Sequence, residues 1–77
     1  MLLNVVKAEY ISDYKVALTF SDGVAKSVDL EQTIFEDHRK VFEPLKDINY
    51  FKKFKIIFNT IAWENEADFA PEYLYEL

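Results

Sequence analysis

At 77 residues with a formal net charge of −5, the chain is long enough for one small domain spanning residues 1–77 and no more. Hydrophobic residues make up 51% of it and aromatic residues 17%, which supplies a core and excludes a disordered chain. The absence of cysteine excludes disulfides and thiolate metal sites, and nothing approaches the ~20 apolar residues of a membrane span.

Residues 2–11 carry β-branched and aromatic side chains in loose alternation and read as a first strand. Lys7 and Glu9 interrupt the apolar start before it reaches signal-peptide length, so a soluble, untargeted, cytoplasmic protein is expected. Ser12 and Asp13 mark a turn. In residues 14–20, Val16, Leu18 and Phe20 alternate with Lys15, Ala17 and Thr19, the period of a half-buried strand. Asp22-Gly23 then signals a hairpin, because glycine accepts the positive φ that a right-twisted ribbon requires, and residues 24–28 return as a third strand.

Asp29 changes the regime: followed three residues later by Gln32, it reads as a helix cap, and Leu30 and Ile34 share one face of a helix expected over 30–40. Pro44 disfavours helical geometry at Glu43, so residues 41–45 are expected to be an extended or turning connection that holds Phe42 and Leu45 in the core. Asp47 is a second cap, for a turn or two of helix over 48–53. Phe54, Ile56 and Phe58 alternate with Lys55, Ile57 and Asn59, which predicts a fourth strand with the first set inward, a turn at Asn59-Thr60 and a fifth strand over 61–63. Pro71 suits the first turn of a helix, and residues 71–75 read as a short terminal helix or turn with Leu74 inward. The order is β-β-β-α-(short α)-β-β-(short terminal helix or turn), which is an α+β fold with an antiparallel sheet.

The charge is unevenly placed. All nine basic residues fall in the first 55 positions, balanced there by nine acids, and the excess lies in Glu64, Glu66, Asp68, Glu72 and Glu76. That acidic end also holds Trp63, Phe69, Tyr73 and Tyr75. Such a set serves either to close the core or to form an interface with a basic partner, since Trp and Tyr are enriched in binding hot spots. The plainer reading of the acids alone is a solvated face.

Several residues raise chemistry and are better explained without it. Asp22, Asp29 and Asp68 are three carboxylates fixed by context, as metal or acid–base groups would be. Each has a local backbone N–H to satisfy, which favours a turn residue and two caps or turns. His38 is the sole histidine and lies in a charged run, which excludes a histidine-pair metal site. No cofactor, metal or small-molecule substrate is expected. The basic segment 46–55, with Lys46, Lys52, Lys53 and Lys55 around Tyr50 and Phe51, has the look of a nucleic-acid contact. The negative net charge and the need for Phe51 and Phe54 in the core favour a solvated, lysine-rich edge instead.

Phe20-Ser21-Asp22-Gly23, Val28-Asp29-Leu30, Phe42-Glu43-Pro44-Leu45-Lys46-Asp47 with Phe51, and Trp63 with Ala67-Asp68 and Ala70-Pro71 through Leu74-Tyr75, in that order, resemble the domain of unknown function family 2442. Gly23, Pro44 and Pro71 belong to this structural signature with Asp22, Asp29 and Asp68. The resemblance implies a small bacterial domain that stands alone or precedes a helix-turn-helix, in some cases beside the gene of a toxin–antitoxin-like partner. It implies no established activity. Two positions depart from the family pattern: Asn65-Glu66-Ala67-Asp68 stands where Asn-Gly-Ala-Asp is common, and residues 35–40 are longer than the usual connection. No helix-turn-helix follows in this chain, so operator binding is not expected of it.

These readings converge on a non-enzymatic protein-interaction or regulatory accessory module that binds a protein partner or itself as a homodimer, without contact to a membrane. Nucleic-acid binding through segment 46–55 is the second reading, and an enzyme the third.

Overall fold

The computed structural model describes residues 3–77. Strands β1 (Val5–Ser12), β2 (Lys15–Phe20) and β3 (Ala25–Asp29) form an antiparallel sheet in chain order. Helix α1 (Glu31–Glu36), a 3-10 helix (Lys40–Lys46) and helix α2 (Ile48–Phe51) follow. The hairpin of β4 (Lys55–Ile57) and β5 (Thr60–Ala62) and the terminal helix α3 (Pro71–Glu76) complete the α+β order that the sequence predicts. The expected first strand began at Leu2, which lies outside the described residues.

The alternation of β2 puts Val16, Leu18 and Phe20 in the core, and the β1 register explains which of its residues join them. Val5 pairs with Phe20 and Lys7 with Thr19, then Tyr10 with Val16 and Ser12 with Lys15, so Val6 and Ile11 are the extra residues of two bulges. Both are therefore exposed although apolar. The outer face of this sheet is small or polar, with Ala17 and Thr19 beside Ser27 and Ala25, and it needs no cover. Between β2 and β3, Gly23 has φ +91° and donates its N–H to the Phe20 carbonyl, while the Phe20 N–H reaches Val24. This is a three-residue loop closed by a left-handed glycine.

Helix α1 is shorter than the predicted 30–40. Leu30 and Ile34 are buried as their spacing requires, and the Asp29 carboxylate accepts the Glu31 N–H at 3.0 Å. The helix stops because Asp37 turns extended and its carboxylate takes the Arg39 N–H at 2.9 Å, a local bond that competes with helix continuation. The connection expected to be extended or turning is a 3-10 helix: Pro44 sits inside it, and its period of three puts Phe42 and Leu45 on one buried side, as expected of those two residues. A 3-10 helix tolerates the proline φ at the cost of one N–H. Asp47 caps α2 by accepting the Asn49 N–H at 2.9 Å.

The aromatic core links these pieces. Phe51 meets Tyr14, Phe54 and Trp63, and Trp63 meets Phe69 edge-on at 5.9 Å. The Trp63 indole donates to the Phe51 carbonyl at 2.8 Å, where α2 ends. The Tyr14 hydroxyl donates to the Lys46 carbonyl and the Thr60 hydroxyl to that of Phe69, so both buried polar groups are satisfied.

Candidate interaction surface

The hairpin β4–β5 departs most from the sequence expectation. Ile57 pairs with Thr60, so the turn is Phe58-Asn59 and not Asn59-Thr60. Both turn residues are left-handed, with φ +51° at Phe58 and +73° at Asn59, as a two-residue primed turn demands. Asparagine suits that region; a bulky phenylalanine does not. Phe58, expected inward, is 94% exposed, and Ile56 and Ile57 are 42% and 40% exposed. All three residues of β5 are buried: Ile61 faces the core, while the small Thr60 and Ala62 lie on the other face, where Ala62 forms part of a groove.

Around this tip the surface is amphipathic. A shallow groove of about 360 Å³ has Ile57, Phe58 and Ala62 on its apolar side and Glu64, Glu66 and Asp68 on its acidic side. The loop that brings the acids there folds back on β5: Ala62 bridges Asp68, and the Trp63 N–H reaches the Ala67 carbonyl. Asn65 fixes this loop. Its amide donates to the Val41 carbonyl at 2.8 Å, its carbonyl oxygen accepts the Ala67 N–H at 3.1 Å, and its N–H reaches the Tyr50 hydroxyl. Glu66 adopts φ +72°, so the position where the family commonly has glycine keeps the left-handed backbone with a side chain attached.

Of the four aromatic residues named as a candidate interface, Trp63 at 3% exposure and Phe69 are buried in the core, and Trp63 also lines the groove at the hairpin tip. Tyr73 is half-exposed, stacks on Phe69 and shares a 2.7 Å hydrogen bond between its hydroxyl and that of Thr33. Tyr75 is half-buried with its ring edge-on to Phe20, and its hydroxyl donates to Asp22 at 2.7 Å. That bond holds Asp22 below the usual carboxylate range, helped by the Val24 N–H, and raises Tyr75. Lys26 adds a second tie, donating to the Tyr75 and Leu77 carbonyls at the end of α3. The far end of the chain is thus fastened to the β2–β3 loop.

The basic segment divides. Lys46 is engaged, with Glu43 at 3.1 Å and the Phe35 ring beneath its ammonium. Lys52, Lys53 and Lys55 are exposed and form no ion pair among the described residues. Asp22, Asp29 and Asp68 do not gather: among the described residues no three His, Cys, Asp or Glu are placed to hold a metal ion. Asp68, read as a cap or turn carboxylate, is exposed and bridges Ala62 through its backbone. Its charge reaches Arg39, whose guanidinium is raised chiefly by its hydrogen bonds to Asp37. His38 is exposed on the connection after α1. Pro71 occupies the first turn of α3 and Leu74 is its buried residue.

The sequence reading missed Phe58 and Ile57 as surface groups and Asn65 as the loop's anchor. A Phe-Asn pair between two short apolar runs was the available signal, since asparagine at the second turn position marks a primed turn.

The architecture defines a class: a small α+β fold of a three-stranded antiparallel sheet and a separate hairpin joined by short helices, its hairpin tip apolar and exposed. Within that class, residues 5–77 match the family described as "Protein of unknown function (DUF2442)", and the chain belongs to it. Comparisons with curated proteins and with solved structures gave no match. Among the described residues no helix is long and apolar enough to cross a membrane.

Proposed function

We propose that the chain is a non-enzymatic, cytoplasmic protein-interaction module whose contact surface is the tip of the β4–β5 hairpin. Phe58 carries this reading: it combines an unfavourable left-handed backbone with a ring held 94% in solvent. Both features cost stability where an asparagine or glycine would cost little, and unfavourable local choices that persist in a fold cluster at functional positions. Ile56 and Ile57 enlarge the apolar tip, and the acids of the adjacent loop give it a polar rim of the kind that surrounds binding hot spots. A regulatory accessory in a toxin–antitoxin-like pair is the biological setting that the family resemblance suggests.

The test compares wild type with Phe58→Asn, a residue that accepts the turn geometry. Wild type is expected to self-associate by light scattering or to retain a specific protein in pull-down from its native cells, and Phe58→Asn to lose that property with its thermal midpoint intact. A wild-type chain that is monomeric and retains nothing overturns the reading. The second reading, nucleic-acid binding, rests on the exposed Lys52, Lys53 and Lys55. An anisotropy titration at low salt without binding removes it, because phosphate contacts are strongest there.

A further inference from the structure

We infer that the occupant of the hairpin surface is a second copy of this chain, in a twofold pair; this rests on the interaction reading above and names its partner. Lys55 pairs with Ala62, and Ala62 bridges Asp68. Directly paired residues share a sheet face, so Lys55, Ala62 and Asp68 form one row across three adjacent backbone segments, cation at one edge and carboxylate at the other. Ile57 lies on the same face, because it is two residues from Lys55.

This row is complementary to itself. A twofold axis running along β5, with the faces opposed, places Lys55 of one copy against Asp68 of the other, and the reverse pair forms by symmetry. The flanking charges extend the match, since Lys52 and Lys53 precede β4 while Glu64 and Glu66 lie on the loop beyond β5. The two flanks therefore carry charge of opposite sign, with Lys55 and Asp68 the pair that the register places on the face. At the centre Ala62 and Thr60 are small and buried, so the face is recessed there, and the same axis keeps the two hairpin tips at one end, where the exposed Phe58 of each copy has the groove of about 360 Å³ on its partner to fill. A basic heterologous partner would satisfy the acidic flank alone and leave the lysines unmatched. A second copy satisfies both flanks and the apolar centre.

The accessible surface of one chain is 5010 Å², and an interface of about a tenth of it on each copy is smaller than the ~800 Å² per partner of stable pairs, so dimerisation is expected to be weak and to depend on concentration. The experiment is sedimentation of the full chain over a concentration series. Wild type is expected to dimerise, less so at high salt, and Phe58→Asn to weaken dimerisation by at least ~30-fold. Lys55→Glu and Asp68→Lys are each expected to weaken it by about tenfold, because symmetry applies each change twice. Mixing the two charge-swapped chains in equal amounts is expected to restore a dimer of one copy each. Circular dichroism confirms that each variant is folded before it is scored. Wild type that stays monomeric throughout, charge swaps that dimerise like wild type, or a mixture that does not recover overturns the proposal. If wild type is monomeric yet retains a cellular protein that Phe58→Asn loses, self-pairing falls and the interaction reading stands. If Phe58→Asn changes neither property, both fall.

Discussion

Trp63 and Phe58 lie either side of the same short hairpin strand and have opposite fates. The indole is buried, edge-on to Phe69 and hydrogen-bonded to the Phe51 carbonyl, so removing it takes away both packing and a satisfied donor. The Phe58 ring touches water almost everywhere, on a backbone that its side chain disfavours. The difference teaches that aromatic wealth in a small chain need not all serve the core. Where strand geometry and backbone preference both oppose an aromatic residue, as at Phe58, a role outside the fold is the economical explanation.

Substitutions on the two sides should separate cleanly. The largest effect is expected from Trp63→Ala, a loss of ~3–5 kcal/mol in urea unfolding from the cavity and the lost contacts. If this variant kept its unfolding midpoint, the buried side of the comparison would collapse. Next comes Tyr14→Phe, which leaves the Lys46 carbonyl without its donor and is expected to cost ~1–2 kcal/mol at neutral pH.

Tyr14 also sharpens the contrast through pH. Burial raises its pKa, assisted by Glu31, Asp47, Asp13 and Tyr10. A raised tyrosine pKa means that the neutral form supports the fold, so its contribution is whole below the ordinary value near ~10 and is lost as pH rises through the raised value. The alkaline unfolding limb of wild type should therefore shift to higher pH in Tyr14→Phe, read by circular dichroism against tyrosinate absorbance. An unchanged limb would show that Tyr14 does not govern it.

On the exposed side the sign reverses. Phe58→Asn is expected to leave stability unchanged or to raise it by up to ~1 kcal/mol, since asparagine tolerates the left-handed backbone. A loss comparable to that of Trp63→Ala would make Phe58 a structural residue. Glu66→Gly should raise the thermal midpoint slightly, by ~0.5–1 kcal/mol in free energy, because it relieves the φ of +72°.

The smallest effect belongs to the exposed bond between Tyr75 and Asp22. The lowered Asp22 pKa gives a contribution present above the usual carboxylate range and lost as pH falls through its lowered value, while raised Tyr75 loses its part as pH rises through the raised value. Asp22→Asn should flatten both limbs slightly, and unchanged acid and alkaline profiles would show that the bond carries no stability.

Much of the fold was legible because its signals are local. The alternation of Val16, Leu18 and Phe20, the glycine of the β2–β3 loop, the cap at Asp47, and Pro71 at the start of α3 each act within a few residues, whereas Asp29, read as a cap, lies one position ahead of the actual N-cap Leu30 and takes the Glu31 N–H from there. The candidate site was less legible for a definite reason. The period of two in residues 54–59 is compatible with either turn position, and moving the turn by one residue changes which side chains the hairpin offers to water. The helix boundary at Asp37 was lost similarly, because its bonds to Arg39 outweigh a weak continuing helical pattern.

By itself, then, the sequence determined the order of elements, the α+β class and the identity of most core residues, because periodicity, caps and turn chemistry are short-range. Only the tertiary structure decided that Val6 and Ile11 leave the β1 register, that Trp63 and Phe69 close the core, and that Phe58 does not. Those outcomes depend on which residues the rest of the molecule can cover. Ile61, Phe51 and Phe69 are already buried in the core, and the left-handed turn at Phe58 and Asn59 leaves the remaining ring in solvent.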